Sequence, residues 1–204
     1  TAMAAKFGTS RDIPATKIAA RYNAVFAING DYFNYDNKGY IVRQGKLYRD
    51  NPREGADVLL IDDLGDLHIV RDATSAKIAA FDGTVVNSFS FGPALVVDGE
   101  AMAISENVQV AANKPTQRMV IAQDSALSYL CVATEGPENI DSVGLTLPET
   151  VELMMSLGCQ TAYNLDGGSS STMVLHNVKI NALSSRKIRS ICDILYFATL
   201  VDSQ

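Results

Sequence analysis

Short runs of period-two alternation, each closed by a turn rich in Gly, Asp or Asn, recur along this chain and restrict it to sheets built from hairpins. Residues 40–43 and 46–48 flank Gln44-Gly45, residues 58–61 and 67–70 flank Asp63-Leu64-Gly65-Asp66, and residues 119–122 and 127–133 flank Gln123-Asp124-Ser125. Alternation puts every second side chain on one buried face, and the turn residues accept the backbone angles that a reversal needs. Residues 24–28 are apolar throughout and predict a buried strand that delivers the polar turn Asn29-Gly30-Asp31. Residues 91–100 predict another strand and turn, with Pro93 marking an edge or a bulge because proline donates nothing to a ladder. Residues 77–91 carry a weak pattern, 105–117 read as loop, and 190–201 form a closing apolar run.

Helical spacing occurs twice. Residues 14–22 place Ile18, Ala19 and Tyr22 on one side, with Asp12 positioned as an N-cap. Thr146-Leu147-Pro148-Glu149 has the capping-box spacing and is followed by Val151, Met154 and Met155 at helical intervals, with Gly158 as terminator. Many hairpins and few helices predict an α+β fold around a mixed, mostly antiparallel sheet. A chain of 204 residues, 47% of them hydrophobic, can bury a sizeable core and reads as one domain over residues 1–204.

Charge narrows the partners. Asp and Glu number 23 against 17 Lys and Arg, a net charge of −6, so no global positive field draws in nucleic acid or an anionic membrane. Any anion site must therefore be local. No apolar run approaches the roughly 18 residues of a membrane span. The chain starts at Thr1, which predicts an upstream segment removed by processing or cleavage, and further domains of a parent chain are possible. Cys131, Cys159 and Cys192 lie far apart in apolar sequence and read as buried free thiols; His68 and His176 read as sheet-surface residues.

The stretch from Tyr163 to Val174 carries the chemistry. Thr161 to Leu165 alternates, Asp166 stands at the strand end, and Gly167-Gly168-Ser169-Ser170-Ser171 follows. Such a turn can aim successive backbone N–H groups into one anion-binding concavity, although an Asp-Gly-Gly hairpin turn is the plain alternative. Three further polar clusters fall at strand ends: Asn29-Gly30-Asp31, Gln117-Arg118 and Thr134-Glu135-Gly136. Together they supply the carboxyls of Asp31, Glu135 and Asp166, the guanidinium of Arg118 and the amides of Asn29 and Asn164. Glycoside cleavage needs parts of this kind, one carboxyl as acid and another as base or nucleophile. Ser169 to Ser171 form no G-x-S-x-G elbow, and no nucleotide-binding glycine pattern, EF-hand loop or H-E-x-x-H is present, so no cofactor is expected. Metal binding stays open: Asp31, Asp166 and nearby carbonyls could hold a hard cation such as calcium.

Asn29-Gly30-Asp31-Tyr32-Phe33, Phe91-Gly92-Pro93-Ala94-Leu95, Glu135-Gly136 with Ser142 to Leu147, Asn164 to Met173, and Arg189 to Ile194 follow in an order that resembles the phosphodiester glycosidase family. The resemblance runs from about Ile13 to Val201. It implies a hydrolase that releases a sugar such as N-acetylglucosamine from a phosphodiester, here an exported or cell-envelope enzyme acting on a phosphodiester-linked cell-wall or exopolysaccharide glycan. By the same resemblance Asn29, Gly30, Arg118, Asn164, Gly167, Gly168, Ser169 and Arg189 bind substrate, with Arg118 and the Gly167-Gly168 amides on the phosphodiester. Asp166 and Glu135 then serve as acid and base and Asp31 orients sugar hydroxyls, an assignment that could be permuted. The family domain normally begins with strands upstream of Thr1. The chain departs from the family pattern at Ser169, where a third glycine is usual, at Met119 and Ala122, and at Pro137, where an arginine is usual. If that arginine touches phosphate, its loss bears on the substrate and admits an alternative, a module that binds an anionic glycan without cutting it.

Overall fold

Two five-stranded sheets share one core, and the outer face of each is covered by a helix. The computed structural model describes residues 1–9, 11–105, 110–137, 141–181 and 188–199. The first sheet runs Ala2–Met3, Asp193–Phe197, Phe26–Asn29, Met173–Leu175, Val178–Lys179; the second runs Glu100–Ala101, Ala94–Val97, Thr161–Leu165, Met119–Ser125, Ser128–Ala133. Period-two alternation explains the layers. Ile28, Leu195, Met119, Ile121, Tyr163 and Leu165 point into the shared core, whereas Ala27 and Ile194 face the helix Ala15–Arg21, and Val120, Ala122 and Ala162 face the helix Leu147–Ser156. Full burial of a Leu, Ile or Met side chain stabilises by about 1.5–3 kcal/mol, so these alternating faces fix the register.

A three-stranded sheet, Leu67–Val70, Val58–Asp62, Val85–Phe89, adds Leu59, Leu67 and Phe89 to the same core, and the hairpin Gly39–Arg43 with Lys46–Asn51 packs beside it. Ladder pairings among the described residues are antiparallel throughout, so the expected mixture of strand directions reduces to one. The fold is accordingly β-rich α+β.

Local signals held where the physics is local. The helix Leu147–Ser156 has its capping box: Thr146 Oγ1 accepts from the Glu149 amide at 3.3 Å and Glu149 Oε2 accepts from the Thr146 amide at 2.8 Å. Cys131, Cys159 and Cys192 are free thiols, Cys159 and Cys192 buried. His68 is part-exposed on Leu67–Val70 and pairs with Asp62 at 2.8 Å, while His176 sits in the turn after Met173–Leu175.

Other expectations are corrected. The first helix begins after Pro14, and its N-terminus has no side-chain cap; Asp12 instead accepts from Asn34 Nδ2 at 2.7 Å and from the Tyr35 hydroxyl at 2.9 Å. The weak region 77–91 holds the end of the helix Ser75–Ala79 and the whole strand Val85–Phe89, whose alternation is masked by polar Asn87 and Ser88. Pro93 does not mark a sheet edge, because the strand it precedes, Ala94–Val97, lies between two neighbours; the bulge alternative fits, since the register of that strand against Thr161–Leu165 shifts between Ala94 and Val96. Of the closing run, Ser190–Ile191 pairs with Ile13–Pro14 and Asp193–Phe197 joins the first sheet; residues 200 and 201 lie outside the described residues, as do 106–109 of the expected 105–117 loop.

Candidate active site

The Asp166 turn joins the two sheets. Thr161–Leu165 belongs to one sheet and Met173–Leu175 to the other, so residues 166–172 are a crossing and the plain hairpin alternative does not apply. Asn29 ties both ends of this crossing: its Nδ2 donates to the Asp166 carbonyl at 2.6 Å, and its Oδ1 accepts from the Thr172 amide at 2.9 Å. The main chain adds Asp166 N to Gly30 O at 3.4 Å and Gly30 N to Asp193 O at 3.1 Å.

Register brings the remaining clusters to the same end. Met119 pairs with both Leu165 and Ala133, so Gln117-Arg118 enters between the exits Asp166-Gly167 and Thr134-Glu135-Gly136. Glycine is required there for close approach: a Cβ on Gly167 would meet Gln117 O at 2.6 Å, and one on Gly136 would meet Gln117 N at 2.5 Å. The Gly168 amide donates to Gln117 O at 2.9 Å, which removes one N–H from the expected anion nest. Ser169 is the middle residue of a single 3-10 turn, Gly168–Ser170.

Arg118 is buried, and its Nε donates to Leu145 O and its Nη2 to Ala111 O and Lys114 O, each at 2.9 Å. It staples the loops that flank the helix Leu147–Ser156. Asn164 holds a neighbouring loop, with its Nδ2 donating to Gly92 O at 2.8 Å and its amide to Pro93 O at 3.1 Å. Glu135 is exposed at the rim, at the end of the edge strand Ser128–Ala133.

Beneath Asp166 lies a buried group that sequence reasoning had not assembled. Asp193 is fully buried; its Oδ1 accepts the Asp31 amide at 2.9 Å, and its Oδ2 takes Arg43 Nε at 2.7 Å and Nη2 at 2.6 Å. Arg43 also donates from Nη1 to Val42 O at 2.9 Å and to Ser88 O, and it stands over the Phe89 ring. Asp31 Oδ2 accepts the Ser90 amide at 2.9 Å and lies 3.6 Å from Arg43 Nη2. The available signal was Asp193 itself, a charged residue in an apolar run on the same face as Leu195 and Phe197, where only a partnered charge is tolerated.

Burial pushes the Asp31 carboxyl up to about 7; Arg43 opposes this, while Asp193 and Asp166 add to it. Burial likewise pushes Asp166 up to about 6, opposed by the Ser170 hydroxyl and by Arg189. Burial raises Asp193 as well, with Arg43 pulling the other way. Arg189 is exposed and donates from Nη1 to Ser169 Oγ at 3.3 Å. Buried side-chain polar atoms without a hydrogen-bond partner are confined, among the described residues, to Asp31 Oδ1, Arg43 Nη2, Asn164 Oδ1, Ser170 Oγ, Ser171 Oγ and Thr172 Oγ1, although Arg43 Nη2 has its ion-pair contact and Ser170 Oγ lies near the Asp166 carboxyl. Native interiors leave few such atoms, and their gathering around Asp31 and the crossing 166–172 makes this the candidate site. Among the described residues no group of three or more His, Cys, Asp or Glu side chains is arranged to hold a metal ion.

The chain belongs to the phosphodiester glycosidase family, whose sequence profile matches residues 22–198. It is 27% identical over 194 residues to the SPbeta prophage-derived uncharacterized protein YomE of Bacillus subtilis strain 168, a match that covers 93% of this chain and 30% of that protein. The chain therefore spans under a third of the length of that relative. The zebrafish N-acetylglucosamine-1-phosphodiester alpha-N-acetylglucosaminidase catalytic domain, auto-inhibited by its pro-peptide, superposes with a TM-score of 0.74 at 20% identity, covering 92% of this chain and 67% of that one. A hypothetical protein from Synechocystis superposes with a TM-score of 0.64 at 15% identity, covering 96% of this chain and 56% of that one. These likenesses establish a shared fold. Among the described residues, no helix is long and apolar enough to cross a membrane.

Proposed function

We propose that this chain hydrolyses the glycosidic bond of a sugar 1-phosphodiester, in a cell-wall or exopolysaccharide glycan outside the cytoplasm. The observation that carries the reading is the pair of carboxyls Asp31 and Asp166 at the ends of strands from facing sheets, close enough to influence one another, raised to about 7 and about 6. Environments that separate two carboxyls in this way suit one to hold a proton while the other is ionised. Asp166, the part-exposed carboxyl, is the one that acts at the anomeric carbon, and buried Asp31 is the proton-holding group behind it. The C1–O bond breaks, the oxygen of water ends on C1, and the phosphate monoester leaves with the bridging oxygen; one proton of water remains on the new hydroxyl and the other is accepted by the carboxyl–phosphate system. The phosphodiester lies against Gly167-Gly168-Ser169, and Glu135 stands at the outer rim where it meets solvent and the departing group.

This reading moves the principal proton-holding role from Glu135 to Asp31. Arg118 serves it indirectly, because its guanidinium holds loops in place.

Release of free sugar from a synthetic N-acetylglucosamine 1-phosphodiester, followed with wild type and Asp166→Asn side by side, tests the proposal. Turnover by wild type and its loss in the variant is the expected result. Folded wild type that binds the diester and releases no sugar would replace the reading with the binding module that Pro137 admits.

A further inference from the structure

Arg189 is an exposed cation at the glycine turn, whereas Arg43 and Arg118 are buried and donate to Asp193 and to main-chain carbonyls. An exposed arginine normally samples many rotamers, and holding it for an anion costs entropy at the moment of binding. Here a chain of contacts holds it beforehand. Its guanidinium carbon lies 5.9 Å from the centroid of the Tyr35 ring, and its Nη1 reaches Ser169 Oγ at 3.3 Å. Tyr35 is itself exposed, yet its ring is fixed: the hydroxyl donates to Asp12 Oδ2 at 2.9 Å, and its amide closes a turn on Tyr32 O at 3.0 Å. Asp12 is fixed in turn by Asn34 Nδ2, which donates to Oδ1 at 2.7 Å. The short ladder Ser190–Ile191 with Ile13–Pro14 anchors the segment that carries Arg189 against the one that carries Asp12.

We infer that Tyr35 and Asp12 are positioning residues for Arg189, which the family resemblance already sets against the substrate, the ring setting the guanidinium toward the phosphate and the carboxylate setting the ring. The inference rests on the phosphodiester reading of the site and adds to it two residues from outside the turn. A tyrosine is a suitable seat for a guanidinium because the ring attracts the cation and the hydroxyl oxygen accepts from it, so Tyr35 and Ser169 fix the group while its other N–H donors stay available for oxygen acceptors. Ser169, at the position where a third glycine is usual in the family, supplies the hydroxyl that aligns the outer edge of the guanidinium. Arg189 also lowers the Asp166 carboxyl against the effect of burial, so the same side chain connects the anion to the reacting carboxylate.

The test is a binding cycle read by calorimetry with N-acetylglucosamine 1-phosphate as the charged probe and N-acetylglucosamine as the neutral one. Tyr35→Ala is expected to weaken the phosphate probe about fivefold, the scale of one exposed cation–aromatic contact. Arg189→Gln is expected to weaken it at least as much, and the double variant no further than Arg189→Gln alone, because the ring acts through the guanidinium. Tyr35→Phe, which keeps the ring and loses the tie to Asp12, falls between wild type and Tyr35→Ala. Affinity for the neutral sugar stays unchanged in all of them. Additive losses in the double variant, equal losses for both probes, or no phosphate binding by folded wild type would each overturn the inference. Absence of sugar release by wild type would sink the glycosidase reading while the binding cycle could still be measured.

Discussion

Asp31 donates its backbone N–H to Asp193 Oδ1 at 2.9 Å, across 162 residues of sequence, while the other oxygen of Asp193 is held by Arg43. The carboxyl proposed to hold the proton is thus placed by its main chain, and its own Oδ1 is left without a hydrogen-bond partner. Asp193→Ala would strand Arg43 in the core without its main counter-charge. Losing one partner of a buried ion pair costs about 3–5 kcal/mol. Urea unfolding should show a loss of this size; a loss under about 1 kcal/mol would mean that Arg43 finds water or another partner.

Stability should depend on pH through Asp31 and Asp166. Both folded values lie above the ordinary carboxyl value of 3.8, at about 7 and about 6, so the folded state binds more protons than the unfolded chain between about 4 and 7. Their contribution is therefore fully present below about 4 and is lost as pH rises to about 7. Thermal unfolding of wild type should show Tm falling over that window relative to Asp31→Asn, whose amide keeps an acceptor for the Ser90 N–H and cannot ionise. Parallel profiles for the two proteins would contradict the elevated Asp31 value.

The same two groups shape the expected activity profile. With Asp166 ionised and Asp31 protonated, kcat/KM for a sugar 1-phosphodiester should rise through about 6 and fall above about 7. Asp31→Asn should lower the rate and remove the upper limb, because no proton is left to lose there. Retention of the upper limb in Asp31→Asn would move the proton-holding role to another group, with Glu135 the first to test.

Gly167→Ala should damage the site through packing. The added Cβ would meet Gln117 O at 2.6 Å, a backbone atom that also accepts from the Gly168 amide, so neither side can yield freely. Overpacking of this kind costs about 1–3 kcal/mol. Gly45→Ala is the matched comparison for added bulk, since its Cβ would meet nothing within 4 Å, though its φ of +74 carries its own backbone strain. Gly167→Ala should lose sugar release, and Gly45→Ala should keep it; equal turnover in both would show that the Gly167 contact relaxes without disturbing Asp166.

The capping box at Thr146, the strand periods and the polar strand ends could all be read from sequence because their causes act within a few residues: a side chain capping an amide three positions on, a turn residue taking a required angle, alternation selecting a face. Val85–Phe89 escaped that reading because Asn87 and Ser88 interrupt its apolar pattern, and its placement comes from pairing with Val58–Asp62. The resemblance carried by ordered motifs located the family and the stretch around Asp166. Only the tertiary structure decided what those residues are free to do. Arg118 was assigned an anion from its type and position, but a guanidinium goes to whichever acceptors surround it, and here the nearest are the carbonyls of Ala111, Lys114 and Leu145. Asp31, Arg43 and Asp193 form one buried group because three separate segments bring them together, and burial, which depends on that assembly, is what raises the Asp31 carboxyl. Periodicity is a property of neighbours in sequence; desolvation and charge pairing are properties of neighbours in space.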